Sequence, residues 1–338
     1  MKGKFNLIDI ARKGKAKLAG ESKFIKGFSI DSRTTIPGDL YIALKGNNFD
    51  GHDFIKEAEK QGAKAIISRK DIRSNLPLIK VSNTEIAYQK IAAWHRKLYR
   101  PIVIAITGSN GKTSTKNMLN SILKLHGPTL STKGNLNNHL GVPTTLLNLK
   151  KNHQFCIIEM GANHQNEISL LCNMVEPNLA IITNASNAHL GEFGNLENLV
   201  KAKGEVFQSL SKDGVAFINK SSPFKDFWRK ISGTKKVIFF GDNSSIYANN
   251  IQQSSAHLNF DLNVNQNKIN VTLKMIGLHQ VDNATAAAAC SSELGISIEV
   301  IKDGLENSLP EKGRLELIQL QNFTLIDDSY NANPHSMK

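Results

Sequence analysis

The chain has 338 residues, enough for two or three domains that each bury a core of their own. Hydrophobic residues make up 40% and mean hydropathy is −0.26, as in water-soluble globular proteins, and no run approaches the ~18 apolar residues of a membrane span. The formal net charge of +13 leaves two readings open: a lysine-rich solvated surface, or an acidic partner such as nucleic acid or a phosphorylated small molecule.

In chain order, the basic start (residues 1–17) has an apolar stretch too short and interrupted for a signal peptide, so a cytoplasmic location is expected. Strand-like runs at 28–30, 40–44, 65–68 and 78–81, with a helical segment at 52–61, make residues 1–83 a small α/β module. Residues 84–99 place Ala87, Ile91, Trp94 and Leu98 on one helical face that leads through Pro101 into a central domain, expected over 84–310. There the pattern alternates, with strands at 102–106, 155–159, 179–183, 214–218 and 236–240 and helices between most of them. Such alternation predicts a mostly parallel sheet covered by helices on both faces. His257–Met275 alternates like a β-hairpin turning near Asn265–Asn267, and helices follow at 280–294 and 297–307. Phe323–Ile326 reads as a strand with no sheet to join, so 311–338 is expected to be a linker, disordered in part. Cys156, Cys172 and Cys290 are odd in number, lack a C-x-x-C pair and sit in apolar runs, which points to buried reduced thiols.

Residues 101–116, PIVIAITGSNGKTSTK, carry the strongest chemical signal. An apolar strand ends in a glycine-rich turn and a helix begins at Thr113, so the turn reads as a phosphate cradle. Gly108, Ser109, Asn110, Gly111 and Ser114 would offer backbone N–H groups, Lys112 a point charge, and Thr113 a hydroxyl for Mg²⁺. The strict G-x-x-x-x-G-K-[ST] spacing is not met, because Ile106 stands at the first glycine position. Glu159 ends the 155–159 strand and is either a surface acid or a carboxylate that holds Mg²⁺ beside this loop. His189 follows the next strand end and is either structural or a metal or phosphate ligand on the same rim. Lys203 and Asn283 carry no signal of their own beyond a solvated surface. Arg314 reads the same way or, two residues after a domain junction, as a residue that could reach a phosphate, and Asp31-Ser32-Arg33 reads as a polar turn. No helix-turn-helix, zinc finger or RRM pattern supports nucleic acid as the partner.

Taken together, the segments DSRTTIPGDLYIAL (31–44), DGHDF (50–54), TGSNGKTSTK (107–116), GNLNNHLGVP (134–143), EMGANHQNEI (159–168), NAHLGEFGNLENLVKAKGEVF (187–207), GLHQVDNATAAAA (277–289), GRLE (313–316) and DDSYNANPHSM (327–337) resemble the Mur ligases. These are ATP-dependent enzymes that add amino acids to the peptide of the bacterial cell-wall precursor. EMGANH with DDSYNANP is similar to the branch that adds D-alanyl-D-alanine to UDP-N-acetylmuramoyl-tripeptide.

The resemblance implies a small N-terminal UDP-binding α/β domain followed by a P-loop-type central domain. It implies that ATP phosphorylates the tripeptide's terminal carboxylate, and that the D-alanyl-D-alanine amine attacks the acyl phosphate. By matching motif, Lys112 would hold the β- and γ-phosphates, and Thr113, Glu159 and His189 would hold Mg²⁺. Lys203 matches a lysine that several family members carbamylate, which would make it a metal-supporting carboxylate. Lys112, Lys203 and His189 are thus the expected catalytic residues. Asn283 would contact adenine, Arg314 the phosphates and Asp328 the ribose. Asp31, Ser32 and Arg33 fall in the UDP module, and Asn137 and Asn138 lie where the muramoyl substrate approaches. Family members carry a third, Rossmann-like domain of order 100 residues, and this sequence ends where it would begin. Two expectations follow: a ligase whose third domain lies outside this sequence or on a separate chain, or a two-domain remnant that binds ATP and UDP-precursor without ligating.

Overall fold

The computed structural model describes residues 5–46, 48–186 and 193–331. The chain divides into two compact units, residues 1–99 with 146–149, and residues 100–145 with 150–338.

In the first unit the elements are β1 (Phe5–Asn6), α1 (Leu7–Lys13), β2 (Lys17–Ala19), β3 (Phe24–Ile25), β4 (Gly27–Ser29), β5 (Asp39–Ile42), α2 (Ile55–Lys60), β6 (Ala65–Ser68), β7 (Leu78–Lys80) and α3 (Thr84–Lys97). A five-stranded sheet runs β2-β7-β6-β5-β4, parallel except where β2 meets β7. Successive side chains of a strand face opposite ways, and β5 uses this fully. Leu40 and Ile42 join Leu7, Ile10, Ile67, Ile79 and Ile91 on one face, while Tyr41 and Ala43 join Ile55, Ala58 and Ile66 on the other.

The α3 helix starts where the Asn83 side chain accepts the Ile86 N–H at 3.0 Å. Its Ala87, Tyr88 and Ile91 are buried in the first core. The unit therefore closes after Tyr99, and the expected boundary at 83/84 shifts by the length of this helix.

The second unit holds β8 (Ile102–Thr107), α4 (Lys112–His126), β9 (Thr129–Ser131), α5 (Gly141–Leu147, whose last two residues group with the first unit), β10 (Phe155–Glu159), α6 (Glu167–Val175), β11 (Leu179–Ile182), α7 (Leu196–Gln208), β12 (Val215–Asn219), α8 (Lys225–Ser232) and β13 (Lys236–Phe240). These six strands form one parallel sheet in the order β13-β12-β11-β8-β10-β9. An antiparallel sheet follows, of β14 (Ile246–Gln253), β15 (Leu258–Val264) and β16 (Asn267–Leu273), then α9 (His279–Glu293) and α10 (Ile298–Glu306). Ile104, Ile106, Ile157 and Phe217 of the large sheet, Met118 and Ile122 of α4, the alanines of α9 and Phe260 of the small sheet share one core. Small residues let the helices approach closely: a Cβ on Gly304 of α10 would collide with the Ile122 backbone of α4.

Residues 316–327 correct an expectation. The strand at 323–326 is not alone: β17 (Glu316–Gln319) and β18 (Thr324–Asp327) pair as an antiparallel hairpin, a partner that lies before the strand in sequence. Cys156, Cys172 and Cys290 are buried and unbridged, as their apolar settings indicate. Among the described residues no helix is long and apolar enough to cross a membrane.

Candidate functional site

Because β10, β8 and β11 are parallel neighbours, their carboxyl ends open on one rim, where open α/β sheets take ligands. The register pairs Glu159 with Ile106 and Ile182 with Thr107. The loop leaving β8 is therefore flanked by Glu159 on one side and by the residues after Ile182 on the other.

The loop needs its glycines. Gly108 has φ +151° and Gly111 φ +78°, and a Cβ would collide with Thr183 Oγ1 at the first and Asn283 Oδ1 at the second. Gly111 opens α4 with no side-chain cap, which leaves the first-turn N–H groups for an anion. Lys112 Nζ donates to the carbonyls of Gly108 (2.8 Å) and Ser109 (2.9 Å). Loss of hydration pushes the Lys112 pKa down; nearby Glu159 opposes this and Arg314 adds to it.

Glu159 is 2% exposed, and both oxygens are engaged. Oε2 accepts the Thr113 hydroxyl at 3.0 Å and Oε1 accepts Asn137 Nδ2 at 2.8 Å. Lys116, one helical turn after Lys112, lies 3.9 Å from Oε2 and donates to Thr132 O at 3.0 Å. Burial lowers the Lys116 pKa against the pull of Glu159 and Glu311. Among the described residues no cluster of three or more His, Cys, Asp or Glu side chains forms an all-protein metal cage. A hydroxyl beside one carboxylate still suits Mg²⁺, which is commonly held by one or two carboxylates together with substrate phosphates and water. The residues present fit such an ion.

Lys203, on α7, is 2% exposed, with its amine 5.8 Å from the Phe193 ring centroid. Burial, reinforced by Lys112, pushes its pKa down to about 7, while Glu167 and Glu205 pull the other way. The two Glu205 oxygens accept the N–H groups of Asn166 (2.7 Å) and Ser169 (2.9 Å), tying α7 to the start of α6. His189 lies outside the described residues.

On the far wall of the loop, Asn283 accepts from Thr115 Oγ1 (3.2 Å) and donates to Gln280 (3.0 Å). Its carboxamide faces Gly111, so a contact with a base would exchange one of these bonds. Arg314 stacks on Tyr330 with 4.1 Å between guanidinium carbon and ring centroid, and its Nε is buried with no hydrogen-bond partner among the described residues. Such an orphaned donor suits an anionic acceptor. Asp328 accepts the Leu315 N–H at 3.2 Å. Burial lowers the His279 pKa, against the opposing charge of Asp328.

The first unit has a rim of its own, where parallel β4, β5 and β6 end. Asp31 caps the turn Ser32–Thr34 and holds Arg33 in a two-pronged pair (2.9 and 2.6 Å), which pulls the Asp31 pKa down. Ser32 is buried, whereas the Arg33 side chain is 84% exposed. After β5, Asp50 accepts from His52 and from Lys70 Nζ (2.9 Å), and the His52 Nε2 accepts the Arg69 N–H (3.2 Å). Burial works to raise the Asp50 pKa, but these donors outweigh it and hold the carboxyl below its usual range.

Comparison with known proteins decides the family. Residues 106–291 match the Mur ligase middle domain, and residues 24–101 match the Mur ligase family catalytic domain. The UDP-N-acetylmuramoyl-tripeptide–D-alanyl-D-alanine ligase of Buchnera aphidicola (subspecies Baizongia pistaciae) is 43% identical over 318 residues, 93% of this chain and 69% of that one. The chain belongs to the Mur ligase family. A crystal structure of MurF from Acinetobacter baumannii superposes with a TM-score of 0.91 at 38% identity, covering 98% of this chain and 74% of that one. The MurF ligase of Thermotoga maritima, solved in complex with ADP, gives 0.80 at 27% identity, covering 92% and 72%.

Of the residues singled out from sequence, the fold gathers Thr113, Glu159 and Asn137 in direct contact, folds Lys112 onto the loop carbonyls and sets Asn283 against Gly111. Asn138 stands apart: its Oδ1 accepts the N–H groups of Leu140 (3.1 Å) and Gly141 (2.9 Å) at the start of α5. Lys116 and Tyr330 escaped the sequence reading, and Glu205 is read there only as a neighbour of Lys203 on a helix. Lys116 had a signal, its place four residues after Lys112 on the same helix face. Glu205 and Tyr330 act through contacts across the fold, which spacing does not announce.

Proposed function

We propose that this chain belongs to an ATP-dependent ligase that joins D-alanyl-D-alanine to the terminal carboxylate of UDP-N-acetylmuramoyl-tripeptide through an acyl phosphate. The observation that carries the reading is the Thr113–Glu159 contact at the mouth of the Gly108–Gly111 loop. A phosphate cradle and a carboxylate–hydroxyl pair for a divalent ion stand there side by side. When bound, Mg²⁺ would screen the repulsion between the substrate carboxylate and the γ-phosphate.

In this reading the loop N–H groups and Lys112 bind the β- and γ-phosphates. Thr113 and Glu159 hold the ion, with His189 as a further ligand. Arg314 contacts phosphate, Asp328 the ribose, and Asn283 the base. Lys203, held near pH 7, is half neutral there, and the neutral amine is the form that adds CO₂. The product is R–NH–COO⁻ with release of a proton, an acid where a cation stood. Asn137 orients Glu159 on the substrate side, and Asn138 shapes the adjoining turn. Asp31, Ser32 and Arg33 take the UDP end. In the same reading the first unit is the UDP module, the second the nucleotide domain, and the segment from 311 leads towards the family's third domain.

The test is phosphate release with Mg²⁺, ATP, UDP-MurNAc-tripeptide and D-Ala-D-Ala, each omitted in turn. Release that needs all four supports the ligase. Release independent of the tripeptide refutes the acyl-phosphate step. Binding of ATP and tripeptide without release favours the binding remnant.

A further inference from the structure

Past β11 the chain does not leave the sheet at once; residues 183–186 run along the phosphate loop. The Ser109 N–H donates to Asn184 O (3.0 Å), and the Asn110 N–H donates to Asn184 Oδ1 (2.9 Å). The Asn110 carbonyl accepts from Asn184 Nδ2 (3.1 Å) and from Thr183 Oγ1 (2.6 Å). One carboxamide thus grips both polar groups of one residue.

The consequence follows from peptide geometry. In a trans peptide the C=O and N–H point opposite ways. With the Asn110 N–H turned towards Asn184, the Ser109 carbonyl faces the other side, where it accepts Lys112 Nζ at 2.9 Å. With the Asn110 carbonyl turned towards Thr183 and Asn184, the Gly111 N–H is aimed away from β11, on the side of the loop opposite those donors.

We propose that Asn184 is a positioning residue for the phosphate loop. Its carboxamide, aided by the Thr183 hydroxyl, sets the two peptide planes that flank Asn110, and so aims Lys112 and the Gly111 N–H at the nucleotide phosphates. Asparagine suits the task because it presents a donor and an acceptor in one short fork. Aspartate has the same size but would set a carboxylate oxygen against the Asn110 carbonyl. The inference rests on the loop being the nucleotide site.

The experiment is calorimetric titration of the whole chain with Mg²⁺-ADP and, separately, with UDP-MurNAc-tripeptide, for the wild type, Asn184→Asp, Asn184→Ala and Thr183→Val. Asn184→Ala is expected to raise the Kd for ADP about 10- to 100-fold, equivalent to about 1.4 to 2.8 kcal/mol. Asn184→Asp should weaken ADP at least as much despite its unchanged size, and Thr183→Val about 3- to 10-fold. The Kd for the tripeptide should stay within about twofold in all three, a split that general loss of structure would not produce. Asn184→Asp binding ADP as the wild type does overturns the proposal, and so does a proportional loss of ADP and tripeptide affinity. A wild-type chain that binds no ADP refutes the nucleotide reading itself, and the positioning role with it.

Discussion

Replacing Lys203 by Met should stabilise the second unit while removing a functional group. Burial brings the Lys203 pKa from an ordinary 10.5 down to about 7. Each pH unit is worth ~1.36 kcal/mol, so a charged Lys203 costs the folded state about 5 kcal/mol at low pH. At pH 7 the folded amine is half neutral, and the cost is about 4 kcal/mol; by pH 10 it falls to about 1 kcal/mol. The sign follows from the depressed pKa: between 7 and 10.5 the unfolded chain binds more protons than the folded one, so the stability of the lysine form rises with pH. Met has a similar length and no charge to desolvate.

Trp228 is buried on α8 and donates to Val200 O of α7 at 3.2 Å, so its fluorescence reports on the helix that carries Lys203. Urea unfolding of Lys203→Met and its parent, in a Trp94→Phe background that silences the first unit, is read at pH 7, 8, 9 and 10 in CO₂-free buffer. The stability difference should favour Met by several kcal/mol at pH 7 and shrink steadily towards pH 10. A difference that is flat with pH, or a Met variant less stable at pH 7, would refute the reasoning.

Glu159→Gln preserves shape but turns an NH₂ group towards the donors Thr113 or Asn137 and leaves Lys116 without its carboxylate. Phosphate release should fall about 100-fold or more, and activity within threefold of wild type would remove Glu159 from the mechanism. Gly304→Ala must drive a methyl into the Ile122 backbone, and thermal unfolding should show a loss of about 1–3 kcal/mol; an unchanged midpoint would mean that α10 can move. Asp50→Asn removes the charge that Lys70 and His52 satisfy and should cost the first unit about 1.5–3 kcal/mol at pH 7. Because the Asp50 pKa lies below its ordinary 3.8, this stability is present above 3.8 and lost as pH falls through the folded value. A difference between variant and parent that persists unchanged into strong acid would contradict that assignment.

The legible parts of this chain were those in which one short segment carries its own signal. Five of the six strands from 102 to 240 stand out as apolar runs, all but the three-residue β9, and β8 with its GKT turn marks the phosphate loop, because strand, turn and helix are contiguous there. The first 26 residues gave little: β1 and β3 are two residues each, too short for any periodicity. The pairing of β17 with β18 is not legible in sequence because β17 is four residues long and its side chains are at most half-buried, which leaves no clear apolar alternation before Phe323. At the site, Glu159 could be suspected from its place at a strand end. Only the sheet order, which sets β10 and β11 on either side of β8, brings Glu159 and Asn184 to the same loop. Sequence spacing has no access to strand order, and so could name the rim without naming its neighbours.

The lysines of the second unit share one electrostatic cause. Lys112, Lys116 and Lys203 are all pushed down by burial, and in each case another cation of the rim adds to the effect: Arg314 for the first two and Lys112 for the third. The carboxylates that could answer them are largely spent on other donors. Glu159 is shared between Thr113 and Asn137, and both Glu205 oxygens are taken by backbone N–H groups. A fold optimised for stability alone would not keep so much buried positive charge with so little to balance it. A bound polyphosphate reverses the balance: its negative charge favours the protonated form of every lysine it faces, and the Arg314 Nε, unpartnered among the described residues, gains an acceptor. The destabilising charge and the binding energy for nucleotide are thus the same groups counted in two states. Lys203 differs in its proposed working form, a carbamate, so Lys203→Met should improve the empty protein by removing the buried amine and impair the working one by removing that acid.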